Sequence, residues 1–216
     1  MHVVQRGVAR RATFLQQSDY CLYMRFLHEA AEKHGCQIHA YVLMTNHAHL
    51  LLTPQEQDSL PLLMQSLGRS YVQSFNKKYD RTGTLWDGRY KACLVQYDRY
   101  FLACQKYVEM NPVRAGMVEM PSQYRFSSFA HNALGKVDPL LTPHSLYLSL
   151  GSNARQRCTN YLQSFNEQLD ANLLAAIREE TSACRAIGSD NFKAKLEGML
   201  GRSVRPGRGG RPKTGV

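Results

Sequence analysis

Two spacings of apolar residues alternate along the chain, and their order predicts an architecture. Residues 2–6 read as a short strand that Gly7 ends. Ser18 or Asp19 is placed to cap a helix running to about residue 34, with Leu22, Phe26 and Ala30 on one face and Gly35 as its stop. Residues 37–44 and 47–53 are strand-forming runs joined by Thr45-Asn46, a β-hairpin closed by Pro54. A second helix starts at Asp58 or Ser59 and tolerates Pro61 in its first turn. Leu60, Leu63, Met64, Leu67, Tyr71 and Phe75 form its buried stripe, while Arg69, Gln73 and Lys77 face outward. After the turn-rich residues 79–84, residues 85–96 read as extended. Asp98 then caps a third helix through Met110, halted by Asn111-Pro112.

Strand, helix, strand, strand, helix, strand, helix predicts an α+β domain over residues 1–130: an antiparallel sheet with helices on one face. Residues 135–143 read as a linker. Helical patterns at 155–165, 171–183 and 191–200 predict a small helical C-terminal region within 131–200. Residues 201–216 carry Arg202, Arg205, Arg208, Arg211 and Lys213 with no acid, and predict a disordered basic tail.

Charge then narrows the class of partner. The 216 residues are 44% hydrophobic, enough for a domain with a real core, and the formal net charge is +10. Such a chain attracts polyanions, of which nucleic acid is the commonest. Candidate phosphate contacts are Arg6, Arg10 and Arg11 in a basic loop, Arg89 and Lys91 in the extended stretch, and Arg114 after the third helix. In the tail, Arg205, Arg208 and Arg211 sit in a Gly-Arg-Pro-rich arm that suits a DNA minor groove or, taken by itself, equally a solubilising tail; the charge of the whole chain favours DNA. Trp86, Tyr90 and Tyr97 are candidates for stacking on unpaired bases, with core packing the alternative expected of at least one of them. No apolar run is long enough to span a bilayer and no apolar signal core opens the chain, so a cytoplasmic, nucleoid-associated protein without a membrane partner is expected. The six cysteines contain no C-x-x-C pair and suggest neither a zinc module nor a disulfide framework.

The chemistry concentrates in His47-Ala48-His49. In a strand, residues i and i+2 project from the same face, so the two imidazoles stand side by side and form half of a divalent-metal site. On its own, His-x-His is more often a pair of hydrogen-bonded sheet histidines. Tyr107 and Asn111, four apart, share one helical face. Together these residues suit a scheme in which the imidazoles and the Asn111 oxygen hold Mg²⁺ or Mn²⁺ and Tyr107 attacks a phosphate.

Three stretches resemble one family. Ala40-Tyr41-Val42-Leu43-Met44-Thr45-Asn46-His47-Ala48-His49-Leu50-Leu51-Leu52 carries the His-hydrophobic-His signature of single-tyrosine HUH transposases. Leu85-Trp86-Asp87-Gly88-Arg89-Tyr90-Lys91 and Tyr107-Val108-Glu109-Met110-Asn111-Pro112-Val113-Arg114-Ala115-Gly116 are similar to the branch known as REP-associated tyrosine transposases. The resemblance implies a ferredoxin-like or RRM-like sheet with His47 and His49 as metal ligands, Asn111 as a polar third ligand, and Tyr107 as the nucleophile. It also implies a 5′-phosphotyrosine intermediate on single-stranded DNA and recognition of repetitive extragenic palindromes folded as hairpins, by a monomer or a homodimer. The first strand begins immediately after Met1, where family members usually carry further residues, and Val8-Ala9-Arg10 stands where they often have asparagines. Both departures bear on hairpin specificity. A hairpin-binding protein that keeps the fold without useful catalysis is the alternative. A replication-initiation nickase fits less well, lacking the second tyrosine or helicase domain such proteins commonly have.

Overall fold

In the computed structural model, which describes residues 1–166, 171–201 and 203–204, four antiparallel strands form one sheet. They are β1 (His2–Arg6), β2 (Cys36–Met44), β3 (His47–Pro54) and β4 (Lys91–Cys93), in the order β2-β3-β1-β4. Helix α1 (Gln17–His34) joins β1 to β2, and α2 (Ser59–Lys78) joins β3 to β4. The resulting βαββαβ unit is the ferredoxin-like arrangement.

Strand alternation divides the residues cleanly. Val3, Ala48, Leu50 and Leu52 pack with Leu27, Leu63, Leu67 and Tyr71 of α1 and α2. The other face begins with Leu51 and Cys93, which pack with Ala40, Val42 and Met44. A register shift between Ile38 and Ala40 puts those two alternate β2 residues on opposite faces, so Ile38 joins the α1–α2 core and Ala40 the other. One detail of the expected layering is corrected here. Helices α1 and α2 share a face as expected, but α3 (Arg99–Glu109) covers the opposite one through Phe101, Cys104, Tyr107 and Val108. With Leu51, Ala40, Val42 and Met44 apolar on that side, a second helix is needed to exclude water from it.

The extended reading of residues 85–96 shrinks to a three-residue strand. Gly88 takes a φ of 70°, turning the backbone before β4. Earlier in the stretch, Trp86 bridges to Gly7, Val8 N–H donates to the Leu85 carbonyl and Asp87 N–H to the Arg6 carbonyl. Gly7 is required for close approach: a Cβ there would lie 2.3 Å from the Arg11 carbonyl oxygen.

Beyond α3 the chain forms α4 (Asn111–Arg114), α5 (Phe129–Asn132), α6 (Ser145–Leu148), α7 (Ala154–Asn166), α8 (Ala171–Ser182) and α9 (Asp190–Leu200). Ile177 of α8 is buried in the α3-side core. Val95 bridges to Ile187, and Ser189 N–H donates to Gln96 Oε1. The C-terminal segment therefore packs onto the sheet's β4 end.

Helix α3 is held at its C-terminal end by a buried carboxylate. Glu109 Oε1 accepts from Ser128 Oγ at 2.6 Å and from Asn132 Nδ2 at 2.8 Å, and Oε2 accepts from Tyr161 Oη at 2.8 Å. Burial outweighs these three donors and pushes the carboxyl pKa up to about 7. A carboxyl whose pKa rises on folding favours the folded state most below its ordinary range near ~4.3. That contribution is lost as pH climbs through about 7. Glu109→Ala removes the acceptor of the buried Tyr161 hydroxyl and leaves Ser128 and Asn132 only their longer bonds to the Tyr41 and His39 carbonyls, and is expected to cost about 2 kcal/mol or more, with Glu109→Gln costing clearly less. Urea unfolding at pH 7 checks both; equal stability of Glu109→Ala and the parent would show that the carboxylate does not anchor α3.

Candidate active site

The histidines occupy one row of the sheet. His49 pairs with Val4 of β1 on one side and Val42 of β2 on the other, and Val4 in turn pairs with Lys91 of β4. His47, at the turn end of the same strand, pairs with Arg6 and Met44. Paired residues share a face, so His47, His49, Arg6 and Lys91 all lie on the side that α3 covers.

Each imidazole has a committed nitrogen. Asn46 Nδ2 donates to the Arg10 carbonyl at 2.9 Å, leaving its Oδ1 to accept from His47 Nδ1 at 2.7 Å. His47 therefore carries its proton on Nδ1 and has a bare Nε2. His49 Nδ1 lies 2.9 Å from Nε2 of His2, a residue the sequence reading left as a plain strand position. The His47 and His49 rings are 5.0 Å apart, centroid to centroid. Burial and then the Arg6 cation pull the His47 pKa down to about 4. Burial, followed by the charges of His2, His47, Arg6 and Arg114, pulls His49 well below its ordinary value. Both rings are thus neutral near pH 7, as a metal-ligating imidazole must be.

Tyr107 comes to this face from α3, its ring centroid 6.2 Å from that of His49 and 6.0 Å from that of His2. The guanidinium of Arg114 sits 4.3 Å from the Tyr107 ring centroid, a cation–π contact. Asn111 opens α4 directly after the Met110 break, and its Nδ2 donates to the Tyr107 and Val108 carbonyls at 3.0 and 3.2 Å. Those bonds satisfy carbonyls left over at the end of α3 and leave the Asn111 Oδ1 as the free end of the amide.

His47, His49, Tyr107 and Asn111 line one cavity of about 360 Å³ together with Arg6, Arg89, Lys91, Arg114 and Asp87. Helix α8 supplies a further wall of Arg178, Thr181 and Ser182, and the Ser182 carbonyl accepts from Lys91 Nζ at 2.7 Å. His2, Arg178, Thr181 and Ser182 were missed by sequence reasoning; the period of β1 could have placed His2 beside the histidine row, but nothing local points to α8.

The remaining expectations separate. Arg10 and Arg11 are exposed but lie outside the cavity lining. Of the two expectations for Trp86, stacking is corrected and packing holds: its bridge to Gly7 draws the ring into the α1–α2 core, 6.0 Å from Tyr71 and 6.3 Å from Tyr23, where no base can stack on it. Arg205, Arg208 and Arg211 lie outside the described residues.

The donor chemistry fits a divalent cation of borderline softness. Among the described residues no group of three His, Cys, Asp or Glu side chains is placed to hold a metal, so a cation here needs another kind of third donor. His47 Nε2, His49 and the amide oxygen of Asn111 are the residues available in the cavity. Among the described residues no helix is long and apolar enough to cross a membrane.

Folding keeps His47 from taking up a proton that the unfolded chain accepts near ~6.5. Acidification from that value towards about 4 therefore draws down stability at this group. An NMR titration of the metal-free protein is expected to give a His47 midpoint near pH 4 rather than ~6.5; an ordinary midpoint would mean that the ring is solvated.

A family model described as transposase, IS200-like, matches residues 1–111. A Haemophilus influenzae relative named as a REP-associated tyrosine transposase is 25% identical over 122 residues, spanning 51% of this chain and 69% of that protein. The solved structure of a REP-associated tyrosine transposase bound to a REP hairpin is similar in fold, with a TM-score of 0.52 at 19% identity. That match covers 66% of this chain and 84% of the other. With a family match spanning the sheet, the histidine row and Tyr107, the chain belongs to the IS200-like transposase family and resembles its REP-associated tyrosine transposases.

Proposed function

We propose that this protein is a metal-dependent tyrosine transposase that cleaves and rejoins single-stranded DNA carrying hairpins of the REP type. The observation that carries this reading is the convergence of His47, His49, Asn111 and Tyr107 on one cation-lined cavity. The hairpin substrate class is taken from the solved relative, which is bound to a REP hairpin. Mg²⁺ or Mn²⁺, when bound, would supply Lewis-acid polarisation of the scissile phosphate.

The chain's own residues do the rest. Arg6, Arg89, Lys91 and Arg114 give the cavity a positive potential that draws in the strand and neutralises phosphate charge that would repel the attacking oxygen. Tyr107, fixed by the rigid turn of α3 that leads into Asn111, presents its hydroxyl oxygen to phosphorus. An O–P bond to Tyr107 forms as the P–O3′ bond breaks, giving a 5′-phosphotyrosine and a 3′-hydroxyl that takes up the proton the phenol gives up. One phosphodiester replaces another, so the reverse attack by a 3′-hydroxyl rejoins strands without an energy-supplying cofactor. Arg114, stacked on the Tyr107 ring, holds the ring's orientation and adds positive charge beside it.

With a single-stranded hairpin-bearing oligonucleotide and Mn²⁺, the parent is expected to form a covalent adduct stable on a denaturing gel, and Tyr107→Phe none. An undiminished adduct from Tyr107→Phe would overturn the assignment. Tight hairpin binding without any adduct, indifferent to chelator, would instead identify a binding protein that keeps the fold.

Phosphate contacts are also separable from chemistry by salt. Arg89→Ala and Lys91→Ala are each expected to weaken hairpin binding across sequences and to lower the slope of log affinity against log salt by about one. Fluorescence anisotropy over a salt series measures this; unchanged slopes would remove these two side chains from the DNA path.

A further inference from the structure

His2 is completely buried, yet it is not a packing residue. Its Nε2 lies 2.9 Å from His49 Nδ1 and its Nδ1 lies 3.0 Å from Thr181 Oγ1 of α8. The two imidazoles lie nearly coplanar and edge to edge, 5.1 Å between centroids and 17° between planes, as an in-plane hydrogen bond requires. Three distant parts of the chain thus meet in one line of hydrogen bonds, and Thr181 lies well beyond the family-matched residues 1–111.

Such a line has two consistent proton arrangements, because each nitrogen of a neutral imidazole either donates or accepts. In one, His49 Nδ1–H donates to His2 Nε2 and His2 Nδ1–H donates to Thr181 Oγ1; His49 Nε2 is then bare. In the other, the Thr181 hydroxyl donates to His2, His2 Nε2–H donates to His49, and His49 Nε2 carries a proton that bars a cation. Only the first leaves His49 with a lone pair for a cation, since a ligating imidazole nitrogen must be free of its proton.

We infer that His2 and Thr181 are positioning residues that fix the His49 ring with its proton on Nδ1 and its Nε2 free for a cation. This rests on the metal-site reading above. Ligating histidines are commonly oriented in this way by a partner on the other ring nitrogen, and loss of that partner weakens metal binding by roughly 10–100-fold. Helix α8 is thereby part of the site's support, through Thr181 behind His49 and through the Ser182 carbonyl on Lys91.

The test uses full-length protein, ¹⁵N NMR of the histidines without metal, and Mn²⁺ titration followed by electron paramagnetic resonance. The parent is expected to show His49 protonated on Nδ1 alone. Thr181→Val, which keeps shape but removes the hydroxyl, and His2→Phe, which keeps a ring but no nitrogen, are each expected to weaken Mn²⁺ binding by roughly tenfold or more and to disturb the His49 tautomer. His2→Gln, whose amide can accept from His49 and donate to Thr181, is expected to restore most of the affinity. A parent His49 protonated on Nε2, or parent-like Mn²⁺ binding by Thr181→Val and His2→Phe when His47→Ala has lost it, would overturn the inference. Mn²⁺ binding unchanged in His47→Ala would instead sink the metal-site reading, while the tautomer measurement on the metal-free parent still decides the arrangement of His2 and Thr181.

Discussion

The pairing register of β3 against β1 and β2 is the constraint on which the site depends. It sets His49 between Val4 and Val42, and puts Ala48, Leu50 and Leu52 into the opposite core. A slip of one residue would exchange these faces, burying both histidines against α1 and α2 and turning three apolar side chains towards the cavity. The slip is prohibited by packing, since Leu50 and Leu52 are almost wholly buried and each stabilises by roughly 1.5–3 kcal/mol relative to exposure. Apolar burial on one side of the sheet thus aims polar chemistry from the other.

On that polar side, several cations surround two uncharged imidazoles. Arg6, Arg89, Lys91, Arg114 and Arg178 line the cavity, with Asp87 as an acid among them. Burial and this positive surrounding act in the same direction on the histidines, keeping them neutral and their lone pairs available. The same cations suit a phosphate backbone. One electrostatic arrangement therefore serves both the proposed ligand set and the proposed substrate.

Much of this was legible in the sequence because it is local. Strand spacing placed His47 beside His49, helical spacing placed Tyr107 beside Asn111, and the hairpin turn lay at Thr45-Asn46 as expected. Contacts between distant segments were not legible. Nothing near Thr181 or Arg178 marks α8 as a wall of the cavity, and His2 becomes informative only when β1 is paired with β3. Trp86 stayed open for a related reason: an aromatic in a basic stretch suits stacking on bases as well as packing, and the bridge to Gly7 that carries it into the core joins distant segments. The position of α3 on the second face likewise follows from the tertiary demand of the apolar side chains there, which element order alone does not express.

Tyr107 is proposed to work on a phosphate held at His47 and His49. A crystal structure with Mn²⁺, located by its anomalous scattering, tests it most directly. The ion is expected on Nε2 of both histidines with the Asn111 amide oxygen in its coordination sphere, and the Tyr107 hydroxyl near enough for one phosphate group to bridge hydroxyl and metal. An ion bound elsewhere, or a Tyr107 hydroxyl too distant for a phosphate to span the gap, would contradict it.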